Sequence, residues 1–295
     1  MVHYKEVHFM ALFENTFPPY VAFGSRMLFL RSPQQSGTDV AVIQAVYNVM
    51  LKTMKPPQGP IGSRIALDGV FGPETKEAVM NIQSYFGLEV DGVVGAQTYF
   101  AFGQGVMGDT TYGGPVYGSR QLSRGDQGGD VTILQNRLNC FRYSTLLKGP
   151  GDGVFGPNTE RAILAFKHDS EKNGDRGFPN NAIAGFGFYD ATWLYTFAGG
   201  RAIWGPPDHV QRNGFDVVFI QVFLKNQGLY SGYIDGYYGS KTHAAVHQFQ
   251  NSEGITADGI VGPVTFYHIG LNNPQNASSP VALSWPPPVP PGLGG

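Results

Sequence analysis

His243 and His247 stand four residues apart in the string HAAVH. At that spacing both imidazoles fall on one face of a helix and could hold a divalent metal. The zinc-hydrolase pattern, however, puts a glutamate directly after the first histidine and needs a third ligand. Alanine follows here and no third ligand is evident, so no metal site is expected. Asp68, Asp91, Asp152, Asp235 and Asp258 share one local setting. A calcium loop needs several oxygens at alternating positions, whereas each of these settings supplies one carboxylate, so turn capping is predicted for them. Cys140 is the single cysteine and is predicted to be core. No serine lies in a nucleophile elbow. Glu74, Glu77 and Glu160 fall on polar helix faces, and a glycosidase would need two carboxylates facing each other across a cleft. No catalytic residue and no cofactor site is expected, and the protein is expected not to be an enzyme.

The setting of the five aspartates is an octapeptide, Asp-Gly-x-x-Gly-x-x-Thr, at Asp68–Thr75, Asp91–Thr98, Asp152–Thr159, Asp235–Thr242 and Asp258–Thr265. Asp68 and Asp91 are 23 residues apart, as are Asp235 and Asp258, so the copies come in pairs. A degenerate sixth copy is expected near Ala182–Thr192, where small residues and Thr192 survive without the aspartate or the spacing. Each pair follows an Asp-Val-x-x-(Ile/Leu)-Gln element beginning at Asp39, Asp130 or Asp216. Val40, Ile43, Tyr47 and Met50 recur at helical spacing behind Asp39, and a carboxylate suits a helix start. The octapeptide reads as a turn that launches a helix: Asp bonds an amide two residues on, Gly supplies a positive φ, and Pro73, Pro157 and Pro263 fit a first helical turn. Apolar stripes follow, Ala78, Val79, Ile82 and Phe86 in the first unit and Ala245, Val246 and Phe249 in the third. The expected fold is all-α: three tandem small three-helix modules joined by Gly-rich turns, with irregular N- and C-terminal extensions. The expected boundaries are an extension at 1–28, module 1 at 29–103, a Gly-rich linker at 104–119, a degenerate module 2 at 120–199, module 3 at 203–271 and a Pro-rich tail at 272–295.

The strings DGVFGPETKEAVMNIQ and GLEVDGVVGAQT in unit 1, GDGVFGPNTERAILAFK in unit 2, and DGYYGSKTHAAVHQFQ with GITADGIVGPVT in unit 3 resemble the peptidoglycan-binding-domain-like family of wall-targeting modules. That resemblance implies peptidoglycan as a partner and a non-catalytic wall-binding protein that multiplies weak single-module contacts. Two other readings stay open: a structural subunit whose modules bind neighbouring proteins, and the targeting part of a lysin.

Contacts to a ligand should come from exposed, variable positions. Tyr230, Tyr233, Tyr237 and Tyr238 cluster at the first octapeptide of unit 3; phenol rings both stack on sugars and hydrogen-bond, and the alternative is that one or two of the four pack in the core. Gln44, Gln135, Gln221 and Gln250 recur in helices and either cap turns internally or line a groove. Tyr230, Tyr233, Tyr237 and Gln250 are the candidate ligand-binding residues. Unit 2 is expected to be a spacer or to bind a partner. A formal net charge of −2 gives no electrostatic reason to expect nucleic acid, and no segment is long enough to insert in a membrane. Glu6, His8 and Glu14 interrupt the stretch where the apolar core of a signal peptide would run. The expected location is therefore a phage virion or injection particle, or the cell wall, with virion subunits as partners of the aromatic residues 1–28 and the Pro-rich residues 272–295.

Overall fold

The computed structural model describes residues 19, 21, 23–53, 62–105, 112–140, 143–172, 178–185, 187–189, 192, 197–205 and 213–272. Module 1 holds α1 (Thr38–Thr53), α2 (Pro73–Tyr85) and α3 (Ala96–Ala101). Module 2 holds α4 (Gly129–Cys140), α5 (Ser144–Leu147) and α6 (Pro157–Lys172), and module 3 holds α7 (Phe215–Asn226), α8 (Ser240–Ser252) and α9 (Pro263–Leu271). The described residues are helical, with isolated β-bridges in place of a sheet.

The octapeptides fold as their chemistry dictates. Asp68 accepts from the amide of Val70 at 2.9 Å, and Asp91, Asp152, Asp235 and Asp258 repeat this two residues on at 2.8 to 3.0 Å. The following glycine takes a left-handed φ between 66° and 75° in all five turns, where any side chain would be strained. Pro73, Pro157 and Pro263 each open a helix, as predicted. The apolar stripes point inward, with Ile82, Phe166 and Phe249 buried seven residues after Thr75, Thr159 and Thr242.

Each module also contains an element with no visible signature in the sequence, Arg-x-(Leu/Ile), at Arg26, Arg120 and Arg201. Leu28, Leu122 and Ile203 form antiparallel bridges to Val94, Ala184 and Val261. The arginines clasp the aspartates of the first helices: Arg26 Nε to Asp39 at 2.7 Å, Arg120 Nε to Asp130 at 2.8 Å and Arg201 Nε to Asp216 at 2.7 Å. Each guanidinium also donates to one backbone carbonyl, of Ser36, Gln127 and Asn213 respectively. The three aspartates are buried, and each accepts from the next amide. Two-point pairing and this local bond satisfy carboxylates that would otherwise be costly to bury.

The bridges correct the register of the sixth copy. Val94 and Val261 are fourth in their octapeptides, and Ala184 takes the same place, so the copy runs from Asn181 to Phe188. Asn181 stands for the aspartate and accepts from the amide of Ile183 at 3.2 Å. Gly185 is retained, and Phe188, not Thr192, occupies the threonine position. Tyr189 follows as Tyr99 does in module 1, and their hydroxyls donate to the carbonyls of Arg120 and Arg26.

The modules pack on one another. Every residue of α4 is buried, and so is the run from Phe215 to Leu224 in α7. Phe86 and Phe102 of module 1, Phe197 of module 2 and Phe215 of module 3 meet at one junction, with ring centroids 4.6 to 5.8 Å apart. Asn213 donates to the carbonyl of Phe86 across the same boundary, and α9 lies along α4. Residues expected in the extension and linker also join this body: Phe23 packs on Tyr99 and Phe102, and Tyr117 on Tyr189. Arg137, fully buried, stacks its guanidinium 4.7 Å from the Tyr117 ring. Residues 1–18 and 273–295, which hold most of the segments proposed to meet virion subunits, lie outside the described residues.

Candidate functional site

A buried glutamine holds each octapeptide turn to the helix before it. Gln44 of α1 donates to Asp68 Oδ1 at 2.8 Å, to Thr75 Oγ1 at 3.0 Å and to the Val70 carbonyl at 3.2 Å, and accepts from the Gly69 amide at 2.9 Å. Gln83, Gln135, Gln221 and Gln250 repeat the set on Asp91, Asp152, Asp235 and Asp258. A single amide therefore ties together an aspartate, a glycine, a carbonyl and a threonine, which explains why those positions of the octapeptide are fixed. In the sixth copy Lys167 does this work, its ammonium donating to Asn181 Oδ1 at 3.0 Å and to the carbonyls of Asn181 and Ile183 at 2.9 and 2.8 Å. Burial lowers its pKa to about 8.

What the turns hold out is set by the two free positions between the glycines. The fourth residue points inward: Phe71, Val94, Phe155, Ala184, Tyr238 and Val261 are all buried. The third is more open: Val154, Ile183 and Ile260 are 44%, 38% and 39% exposed, and Val70, Val93 and Tyr237 are half-buried. Both positions are apolar in sequence, so residue type alone does not separate the two faces.

In the first turn of module 3 the third residue is Tyr237. Its hydroxyl lies over Gly87, where an added Cβ would come within 2.8 Å. Burial, then the nearby Asp235 and Tyr237, raise the Tyr85 pKa, and burial followed by Asp235 raises that of Tyr237. Both phenols keep their protons at neutral pH and remain hydrogen-bond donors. Tyr233 is 66% exposed, whereas Tyr237, near the Asp235 carboxylate, is half-buried. The other two candidates sit differently. Tyr230 is 6% exposed and donates to the Tyr233 carbonyl at 2.7 Å. Gln250 is buried with its amide engaged in the turn, as the internal-capping alternative holds.

His243 and His247 lie on α8 with ring centroids 6.5 Å apart, and His247 pairs with Asn251. Among the described residues no group of three or more His, Cys, Asp or Glu side chains is placed to hold a metal, and no helix is long and apolar enough to cross a membrane. Cys140 is buried, and burial pushes its thiol far above the usual range.

Segments 58–101, 127–171 and 213–269 match the family described as "Putative peptidoglycan binding domain". A "Probable N-acetylmuramoyl-L-alanine amidase" of Bacillus licheniformis is 29% identical over 62% of this chain and 52% of its own length. The N-acetylmuramoyl-L-alanine amidase CwlM of Mycobacterium tuberculosis is 30% identical over 44% of this chain and 31% of its own. The zinc D-Ala-D-Ala carboxypeptidase of Streptomyces albus G is 37% identical over 27% of this chain and 32% of its own. The chain thus spans about half the length, or less, of these relatives. No solved structure matches. The amidase names overturn the expectation that the protein is not an enzyme. That expectation rested on finding no catalytic constellation among side chains close in sequence, and such constellations are assembled by folding from distant residues.

Proposed function

Because this chain belongs to the peptidoglycan-binding-domain family, with three tandem modules, we propose that it holds bacterial peptidoglycan and acts in cell-wall hydrolysis of the N-acetylmuramoyl-L-alanine amidase type. The three family segments carry the binding half of this reading. The names of two relatives support the hydrolytic half. The outward residues of the turns, with Tyr233 and Tyr237 in module 3, are the proposed wall contacts. Aromatic and aliphatic surface beside carboxylates suits the apolar faces and amide groups of a glycan strand with its peptide stems.

Purified protein should pellet with insoluble sacculi at micromolar concentration. Tyr233→Ala, at an exposed position, should weaken retention severalfold while leaving the melting temperature within about 1 °C. Amidase action would also expose new L-alanine amino termini in the digest. Sacculi that pellet the protein but gain no such termini would leave wall binding in place and remove the hydrolytic part. Protein that stays in the supernatant would remove both and favour modules that bind neighbouring proteins in a virion or injection particle.

A further inference from the structure

The glutamine-held turn is closed over in module 3 and open in module 2. Above Gln221 lies the ring of Tyr230, its hydroxyl 3.3 Å from the Gln221 amide nitrogen and donating to the Tyr233 carbonyl at 2.7 Å. Gly232 packs so closely there that an added Cβ would come within 2.5 Å of the Tyr230 ring. Module 2 runs differently between its glutamine and its aspartate. After α5 the chain turns at Lys148, with φ 62°, and reaches Asp152 through Gly149, Pro150 and Gly151. Lys148 to Gly151 hold no aromatic side chain, and Tyr143 turns to Asp169 and Phe166 instead. A cleft of about 260 Å³ occupies the place instead, lined by Gln135, Asp152, Thr159, Leu147, Asn158 and Gly149 among others.

We infer that this cleft binds one pyranose ring of the wall glycan, seated where module 3 seats the ring of its own Tyr230. The assignment rests on the wall-binding reading above. Tyr230 shows what the space over such a turn accepts: a six-membered ring with an apolar face and a hydroxyl that accepts from the glutamine amide. The module 2 cleft is lined by the corresponding glutamine, whose amide is bonded to Asp152, Thr159 and the Val154 carbonyl as that of Gln221 is to its own turn, with the Asp152 carboxylate beside it and Leu147 as an apolar wall. Hydroxyls need this mixture of donors and acceptors, and the C–H face of a sugar needs the wall. The volume lies below the roughly 300–1,000 Å³ of pockets for drug-sized ligands, which suits one ring and its substituents. The lining includes no Lys, Arg or His to take the carboxylates of a peptide stem, so the glycan is the favoured occupant.

The test titrates the full chain with N-acetylglucosamine, and separately with free stem peptide, following amide resonances. The sugar should shift Gly153, Val154 and Thr159. Gly149→Phe should weaken that binding at least tenfold, because a Cβ at Gly149 meets nothing within 4 Å and the ring can fill the cleft without strain. Gly156→Phe, whose Cβ is equally free, repeats the test should the first variant misfold. Tyr230→Ala should open the equivalent space and bring new sugar-dependent shifts at Gly236 and Thr242. Unchanged affinity in a folded filled variant, shifts confined to other modules, or shifts at Thr159 with the peptide alone would overturn the assignment. Sacculus pelleting separates the two levels: retention of the full chain with no sugar response leaves the wall reading standing and ends this one.

Discussion

Gln250 distinguishes a residue that builds the turn from one that touches ligand. Gln250→Leu keeps most of the side-chain volume and removes every polar atom. The Asp258 carboxylate is exposed and finds water, so losing its 2.9 Å bond counts for little. The Gly259 amide is buried and would lose its acceptor at 2.8 Å, leaving an unpaired donor that costs about 1–3 kcal/mol. The bonds to the Ile260 carbonyl at 3.0 Å and the Thr265 hydroxyl at 3.1 Å add about 1 kcal/mol together or somewhat more. The total is about 3 kcal/mol, which corresponds to a fall in melting temperature of about 6–12 °C for a domain of this order of size. Thermal melting by circular dichroism, with hydrogen exchange at Gly259, reads both terms. Gln250→Glu should do worse at neutral pH, since it keeps the acceptor for Gly259 but sets a carboxylate against Asp258. It should recover as acid protonates the pair. A Gln250→Leu protein that melts like the parent yet no longer pellets with sacculi would refute the reasoning and return Gln250 to the ligand surface.

Asp235→Ala removes the bonds to Gln221 at 2.8 Å and to the Tyr237 amide at 3.0 Å, and should cost about 1 kcal/mol in a denaturant titration. Phe215→Ala should cost about 3–5 kcal/mol and loosen all three modules together, giving a lowered but single calorimetric transition. Lys167 should give a pH signature. Its folded pKa of about 8 lies below the ordinary 10.5, so the unfolded chain binds more protons between those values and the stability due to Lys167 rises with pH across that window. Lys167→Met should remove that rise, seen as the difference between parent and variant melting temperatures from pH 7 to 10.

The octapeptide could be read from sequence because its chemistry is local. Asp68 bonds an amide two residues away, Gly69 needs its own φ, and Pro73 starts the helix it belongs to. The internal role of Gln44 was legible as one of two alternatives, since a helical glutamine serves a groove as readily as a turn. Gln83 has the same role as Gln250 and lies eight residues before its aspartate in the same way, a correspondence that aligning the paired units would have exposed. Arg26, Arg120 and Arg201 were not legible. Each acts across 13, 10 or 15 residues on a buried aspartate, and one residue per module leaves no periodicity. The sixth copy was misplaced because Thr192 preserved a residue type, whereas the fold preserved the pairing of Ala184 with Leu122. Of the candidate contacts, Tyr233 reaches the surface, Tyr237 is half-buried with its hydroxyl over Gly87 and Tyr230 turns inward, differences set by the third dimension of the fold.

The all-round burial of α4 has a consequence for how such a protein can be cut or copied. A helix with no solvent face has no surface of its own to present once its neighbours are gone. The stretch that repeats in the sequence is therefore smaller than the stretch that folds. Fragments cut at the repeat boundaries would expose Phe86, Phe102, Phe197 or Phe215, and would report on the wound rather than on the module. The sequence repeats in thirds, but its parts stand or fall together, and the spacing between its proposed wall contacts is fixed by the core rather than by the reach of a linker.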